Sequence, residues 1–158
     1  MGGRMRQGFA PTDSKNVARV FALLLGVGYV AAGVAGFFVT GFTGFVANGD
    51  ATLLGFDLNI FHNIVHLAIG GALIIASRLR DVAITQGILI GVGLFYLVAA
   101  GLGFLNYLQI ISINEELAAD NFLHLFSGGT ALIFGLIGVR QQSQSLRRTG
   151  APAGAAGR

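Results

Sequence analysis

Four long apolar stretches, separated by shorter polar segments, dominate the pattern of the chain. They cover about residues 17–40, 58–77, 84–104 and 118–139. Each is close to or above the roughly 20 residues that an α-helix needs to cross a bilayer. The pattern predicts an all-α integral membrane protein, with a four-helix transmembrane domain at 17–140. An N-terminal tail at 1–16 precedes this domain, and a polar C-terminal tail at 141–158 follows it and is expected to be disordered.

The composition supports a membrane protein. Charged residues make up only 11% of the chain and hydrophobic residues 54%, whereas about 25% of a soluble domain is charged. The chain has no Cys, which excludes disulfides and thiolate metal sites. The net charge of +3 does not indicate a nucleic-acid partner, because the basic residues flank the apolar stretches. The lipid bilayer is the expected partner instead.

The distribution of charge predicts the orientation. Lys and Arg occur in the N-terminal tail, at the start of the first span, in the link 78–83 and after the fourth span. The two longer loops, 41–57 and 105–117, contain neither residue. Because cytoplasmic loops are enriched in Lys and Arg, both termini are predicted to be cytoplasmic, in a multi-pass protein of a bacterial inner membrane.

A doubled segment shows that the chain is an internal repeat. NIVHLAIGG at 63–71 returns as NFLHLFSGG at 121–129, at an offset of 58. Residues of the first and third spans, including Tyr29 and Tyr96, also match at an offset of 67. Each repeat is therefore predicted to be one helical hairpin. Two tandem hairpins of equal orientation imply a pseudo-twofold axis along the membrane normal.

Each copy of the doubled segment places polar and small residues on one helical face. The spacing i, i+3 and i+7 aligns an amide, an imidazole and a glycine. These residues are Asn63, His66 and Gly70 in the first copy and Asn121, His124 and Gly128 in the second. By the repeat, His66 and His124 are expected to lie at equal depth in the membrane.

Four spans, cytoplasmic termini and paired N-x-x-H-L-x-x-G-G segments resemble a family of small, largely actinobacterial membrane proteins known as a domain of unknown function. The resemblance covers about residues 17–140, and the doubled segment is its most specific element. It implies the four-span topology. It implies no activity, and no catalytic residues follow from it.

The simplest interpretation of the polar stripe is structural. Polar side chains within a bilayer form hydrogen bonds between helices, worth about 0.6–2 kcal/mol each, and glycines allow close helix crossing. We therefore favour a non-enzymatic structural or accessory subunit of a membrane assembly, without a cofactor. Its expected partners are other membrane subunits or a second copy, docking through the Gly stripes of the first or third span, such as Gly87 and Gly91.

The alternative interpretation is a redox or metal-binding protein, because ionisable residues inside spans are functional candidates. His66 and His124 are candidate axial ligands of a haem b. The repeat aligns His62 with Asp120, so His62, His66, Asp120 and His124 are candidate ligands of a divalent metal such as zinc or copper. An ion pair between His62 and Asp120 would explain those two residues without a metal.

Recognisable enzyme motifs do not occur in the sequence. We find no dinucleotide-binding GxGxxG after a strand, no P-loop and no nucleophile elbow around Ser112 or Ser127. The inner halves of the spans carry almost no charge, so a proton or ion relay through a single chain is not predicted. These observations favour a protein that is not an enzyme.

Overall fold

The computed structural model describes residues 15–47 and 51–149, and four long helices account for most of them. Their bounds are α1 Val17–Thr40, α2 Ile60–Arg78, α3 Val82–Phe104 and α4 Ala119–Thr149. All four are long and apolar enough to cross a membrane. The prediction of an all-α membrane protein with four spans is confirmed.

Short polar side chains determine where three of the helices begin. The side-chain oxygens of Asn16, Asn59 and Asp81 each accept a hydrogen bond from a backbone N–H in the first turn, at 2.8–3.0 Å. Such caps satisfy backbone N–H groups that have no partner within the helix. The cap at Asn59 explains why α2 begins at Ile60 and not at the first apolar residue, Leu58.

The fourth helix is longer than its apolar stretch. It continues to Thr149, ten residues beyond the predicted end of the span at 139. The helix thus includes part of the segment 141–158 that was predicted to be a disordered tail. Gln, Arg and Leu in this segment favour a helix in water as well as in lipid. The remaining predicted tail residues, 1–14 and 150–158, lie outside the described residues.

The helices pack as two hairpins, α1 with α2 and α3 with α4. In the first hairpin a Cβ on Gly26 would lie 2.8 Å from the carbonyl oxygen of Gly70. In the second, a Cβ on Gly93 would lie 2.9 Å from the carbonyl oxygen of Gly128. The matching glycines of the two repeats therefore make matching close contacts, as a tandem repeat requires.

Both hairpins are joined at the end that carries the two longer loops, which we call the loop end. One loop contains a short antiparallel hairpin, β1 Thr52–Leu53 with β2 Phe56–Asp57, and the other a 3-10 turn at Gln109–Ile111. The amide of Asn59 donates to the carbonyl oxygen of Ile110 at 3.0 Å. This bond ties the start of α2 to the loop of the other repeat.

The opposite end, which we call the link end, carries the short α2–α3 connection. Here the guanidinium group of Arg19 donates hydrogen bonds to the carbonyl oxygens of Ser77, Leu79 and Arg80. A cation at the C-terminus of a helix also stabilises the helix dipole. Arg19 therefore anchors α1 to the end of α2.

The second repeat has no equivalent anchor. Gln86 corresponds to Arg19, and Leu136 to the last residue of α2, Arg78. Because α4 continues past Leu136 to Thr149, its carbonyl groups there are bonded within the helix. The side-chain nitrogen of Gln86 is buried and has no hydrogen-bond partner among the described residues.

We expect Arg19→Gln to lower the free energy of unfolding by about 1.5–3 kcal/mol, because hydrogen bonds that involve a charged group have this value. Thermal unfolding in detergent micelles measures the change. Gln86→Leu is the matched control in the second repeat, and it should be neutral or stabilising since it removes an unpartnered polar group. Equal destabilisation by both variants would contradict a capping role for Arg19.

Candidate functional site

Three buried histidines meet near the loop end of the bundle. His62 and His66 lie one turn apart on α2, and His124 comes from α4. The three side chains are only 1%, 6% and 3% exposed, respectively. We call these three residues the His cluster. The i, i+4 spacing on α2 turns two imidazoles to the same side, and the packing of the hairpins adds the third.

The imidazoles of the His cluster lie close enough to share a ligand. One ligand nitrogen from each residue can be chosen so that all three lie within 4.8 Å of one another. The ring centroids of His62 and His66 are 4.5 Å apart, and those of His62 and His124 are 6.1 Å apart.

Hydrogen bonding leaves lone pairs of the cluster free. Nδ1 of His62 lies 3.2 Å from the carbonyl oxygen of Asp57. A carbonyl oxygen can only accept, so in the tautomer that makes this bond Nδ1 carries the hydrogen and Nε2 carries the lone pair. Nε2 of His62 and Nδ1 of both His66 and His124 are buried and have no hydrogen-bond partner in residues 15–47 and 51–149.

Asp120 is close to the His cluster but does not join it. Its carboxylate accepts a hydrogen bond from the backbone N–H of Asp57 at 3.2 Å, the same residue whose carbonyl oxygen contacts His62. The main chain of Asp57 thus lies between the two side chains that the repeat aligns. The structure brings together three of the four predicted metal ligands. In place of the suggested ion pair, His62 and Asp120 each form a hydrogen bond with the backbone of Asp57.

Two tyrosines lie beside the cluster in a continuous stack of rings. The ring centroids of Tyr29 and Tyr96 are 5.1 Å apart, and the ring planes differ by only 9°. Tyr29 also stacks on His66 at 5.3 Å, and Tyr96 contacts His124 at 5.1 Å. Residues related by a twofold axis can meet only at that axis, so the tyrosine pair marks the pseudo-twofold axis between the repeats.

The asparagines of the polar stripe form hydrogen bonds to the chain segments that precede their helices. The amide nitrogen of Asn63 donates to the hydroxyl of Thr40 at 2.9 Å. The amide nitrogen of Asn121 donates to the carbonyl oxygens of Glu115 and Glu116 at 3.2 and 3.0 Å. Asn63 thus ties α2 to the end of α1, and Asn121 ties α4 to the loop that precedes it, which is a structural role in both repeats.

A cavity of about 190 Å³ adjoins the His cluster. All three histidines line it, together with Phe61 and Val65 of α2, Phe95, Tyr96 and Ala99 of α3, and Leu108, Ile110 and Ile111 of the loop between α3 and α4. Pockets for cofactors and drug-sized ligands usually measure about 300–1,000 Å³. The cavity therefore suits a smaller ligand than a porphyrin.

Sequence reasoning missed several residues of the site. The sequence identifies Tyr29 and Tyr96 only as matching positions of the two repeats, which indicates equivalent faces but not contact between the rings. No pattern in the sequence indicates that the backbone of Asp57 contacts both His62 and Asp120. The apolar cavity walls have no sequence signal at all, since they resemble other lipid-facing residues.

Comparison with known proteins gives the family and no further relative. No curated protein and no solved structure matches the chain. The sequence matches the family described as "Domain of unknown function (DUF4383)" over residues 19–137. That range contains α2 and α3, all but the first two residues of α1, and α4 as far as residue 137, and with them the tyrosine pair and the whole His cluster. The chain therefore belongs to the DUF4383 family.

Proposed function

We propose that this protein is a metal-binding membrane protein that holds one divalent transition-metal ion, zinc or copper, in the His cluster. The observation that carries the proposal is the convergence of three buried imidazoles within 4.8 Å of one another. Leaving a buried polar atom without a partner costs about 1–3 kcal/mol. A metal ion bound through the unpartnered ring nitrogens of the cluster would remove this cost.

The donor set suits zinc or copper. Neutral imidazole is a preferred ligand of both metals, and three histidines with an open fourth position form a known type of zinc site. Zinc–nitrogen bonds of about 2.0–2.1 Å place tetrahedral ligand atoms about 3.4 Å apart. The widest separation in the cluster must therefore shorten by no more than roughly 1.4 Å, which small rotations of the rings supply.

The contact between His62 and Asp57 supports the proposal. Metal-binding histidines usually donate their second ring N–H to a carbonyl or carboxylate oxygen, which sets the ring orientation. His62 makes this kind of bond through Nδ1, so its Nε2 is available for the metal. The haem hypothesis for His66 and His124 has less support, because the cavity beside them measures only about 190 Å³.

Elemental analysis of protein purified from its native membrane, combined with its visible spectrum, tests the proposal. We expect one zinc or copper ion per chain, and no Soret band. A Soret band with reducible α-bands at one haem per chain would contradict the proposal and support the haem hypothesis. Protein that contains no metal and takes up none from excess zinc or copper would also refute it.

The distribution of charge indicates on which side of the membrane this site would lie. The loop end carries the segments without Lys or Arg, and the link end carries Arg78 and Arg80. By the positive-inside rule the termini are cytoplasmic and the His cluster lies near the outer surface of the cell membrane. The metal would then come from outside the cytoplasm.

An accessory role in a membrane assembly is the second candidate function, and one observation favours it. Gly87 and Gly91 lie on α3 in GxxxG spacing, and no atom of the described chain lies within 4 Å of a Cβ built on either. They therefore do not serve packing within this bundle. Glycines at this spacing allow close approach of a second helix.

Replacing Gly87 and Gly91 together with Leu tests this role. We expect the monomer to fold as before, since both side chains would point into open space, and we expect any self-association or partner association to be lost. Cross-linking in native membranes measures the association. If the double variant associates as the wild type does, this face of α3 is not the contact surface.

A further inference from the structure

Asp120, the predicted metal ligand that lies outside the His cluster, is a buried acidic residue. It is only 3% exposed, and Asp is rarely buried to this extent unless it is paired. The two longer loops at this end contain no Lys or Arg that could pair with it. Its position at the start of α4 favours a negative charge through the helix dipole, but an exposed carboxylate would serve the dipole equally well. The burial of Asp120 therefore needs another explanation.

The free edge of the hairpin β1–β2 provides one. The backbone N–H of Leu58, the residue after β2, donates to the carbonyl oxygen of Ala51, just before β1. Because successive residues of a strand direct their backbone groups to opposite edges, the N–H and C=O of Asp57 point away from β1. There the N–H donates to Oδ2 of Asp120, and the carbonyl oxygen accepts from Nδ1 of His62, each at 3.2 Å. Side chains from both repeats thus take the position of a partner strand.

These two hydrogen bonds act in series on the ring of His62. The bond to Asp120 holds the end of β2 against α4. The carbonyl oxygen of Asp57, fixed in this way, keeps the hydrogen of His62 on Nδ1 and leaves the lone pair on Nε2. That Nε2 is buried and has no hydrogen-bond partner among the described residues. Without Asp120, the end of β2 would lose this contact with α4, and the ring of His62 would be free to turn or to adopt the other tautomer.

We propose that Asp120 is a positioning residue of the metal site, which holds the carbonyl oxygen of Asp57 so that His62 presents Nε2 to the ion. The inference rests on the proposed metal-binding function and adds a residue to the same site. The repeat aligns Asp120 with His62 at an offset of 58. One repeat thus supplies a ligand at this position, and the other supplies the carboxylate that orients it, so the site depends on both repeats without being symmetric.

The tautomer of His62 tests the inference in metal-free protein. The full chain, with ¹⁵N in its three histidines, is studied by NMR in lipid nanodiscs at about pH 8, where an ordinary imidazole is neutral. Nitrogen shifts show which ring nitrogen carries the hydrogen, and His62→Ala identifies the signals of His62. We expect the hydrogen on Nδ1 in the wild type and in Asp120→Asn, whose amide oxygen also accepts, and a mixture of tautomers in Asp120→Ala. Asp120→Leu, which fills the space without an acceptor, should show the same mixture.

Zinc affinity tests the consequence for the metal, and competition with a chromophoric chelator measures it. We expect Asp120→Ala to bind zinc about 10–100-fold more weakly than the wild type, which is the usual cost of losing a group that orients a ligand. Asp120→Asn should recover most of this loss. Glu116→Ala is the matched control, because Glu116 is an exposed acidic residue at the same end of the bundle; it should bind zinc as the wild type does.

A double-mutant cycle shows whether Asp120 acts through His62. Residues that act through one another have non-additive effects. Once His62 is replaced by Ala, the further change Asp120→Ala should therefore leave zinc affinity unchanged. An additional loss of affinity in the double variant would show that Asp120 contributes independently of His62 and would overturn the inference.

The remaining outcomes separate the two proposals. If His62 keeps its hydrogen on Nδ1 in both Asp120→Ala and Asp120→Leu, Asp120 does not position it, whatever the zinc affinity. If Asp120→Asn binds zinc as weakly as Asp120→Ala does, the carboxylate acts through its charge, and the inference is again wrong while the metal site stands. Wild-type protein that takes up no zinc refutes the metal site, and with it the role of Asp120 in metal binding, even if the tautomer changes as expected.

Discussion

Alanine at His66 or at His124 is expected to lower the affinity for zinc or copper by more than about 100-fold. Loss of a second-shell partner alone typically costs 10–100-fold in affinity, and these residues are proposed as direct ligands. The two positions are equivalent in the repeat, and both imidazoles have a buried nitrogen without a partner. The two variants should therefore show similar losses.

Thermal unfolding with and without metal provides an independent measurement. A ligand that binds only the folded protein stabilises it by about 2.7 kcal/mol at 100 times its dissociation constant. This increment should appear in the wild type and disappear in both variants. Each variant should also lose stability without metal, because it removes a buried ring that contacts Tyr29 or Tyr96 and leaves a cavity. The metal-dependent increment is therefore measured for each protein against its own metal-free form.

Ser127→Ala is the control for both measurements. Ser127 lies one turn from His124 and is also buried, but its hydroxyl donates to the carbonyl oxygen of Leu123 within the same helix, at 2.7 Å. This variant should bind metal as the wild type does. Normal metal affinity in both histidine variants would show that the His cluster is not the binding site.

Valine at Gly70 should destabilise the protein by about 2 kcal/mol or more, whereas valine at the adjacent Gly71 should have little effect. A Cβ on Gly70 would lie 2.7 Å from the carbonyl oxygen of Gly26 and 2.8 Å from the backbone nitrogen of Val30. Because both obstacles are backbone atoms, α1 and α2 would have to separate. Overpacking of this kind costs about 1–3 kcal/mol and occasionally more.

The second repeat offers the same test with a different pair. A Cβ on Gly128 would lie 2.9 Å from both the carbonyl oxygen of Gly93 and the backbone nitrogen of Leu97. A Cβ built on Gly71 or Gly129 would have no atom of the described residues within 4 Å, apart from the adjacent backbone of its own helix. Unfolding in detergent, followed by circular dichroism, should show that Gly70→Val and Gly128→Val are much less stable than Gly71→Val and Gly129→Val. Similar stability of all four variants would contradict the helix packing.

Much of the architecture follows from patterns within single helices. The length of the apolar runs predicted the four spans, and the doubled segment predicted the two hairpins. Both predictions depend on local properties, namely the thickness of a bilayer and the 3.6-residue period of a helix. The same period predicted that Asn63, His66 and Gly70 share one face.

The helix ends were harder to predict. The fourth span was expected to end where the apolar residues end, at about 139, but α4 continues to Thr149. Hydropathy reports where a helix leaves the lipid. Whether the helix then stops depends on capping and on helix propensity, which are separate properties.

Only the tertiary structure decided which residues meet. It placed His62 with His66 and His124 while the repeat-equivalent Asp120 turned to the backbone of Asp57, and it stacked Tyr29 on Tyr96 at the axis between the hairpins. It also distinguished Gly70, where an added Cβ would collide with the backbone of α1, from Gly71, where an added Cβ would lie more than 4 Å from every described atom outside the adjacent backbone of its own helix. The sequence by itself determined the spans, the repeat and the residues that share a helical face. Which face meets which neighbour depends on packing between segments far apart in the chain, and helical periodicity contains no information about that packing.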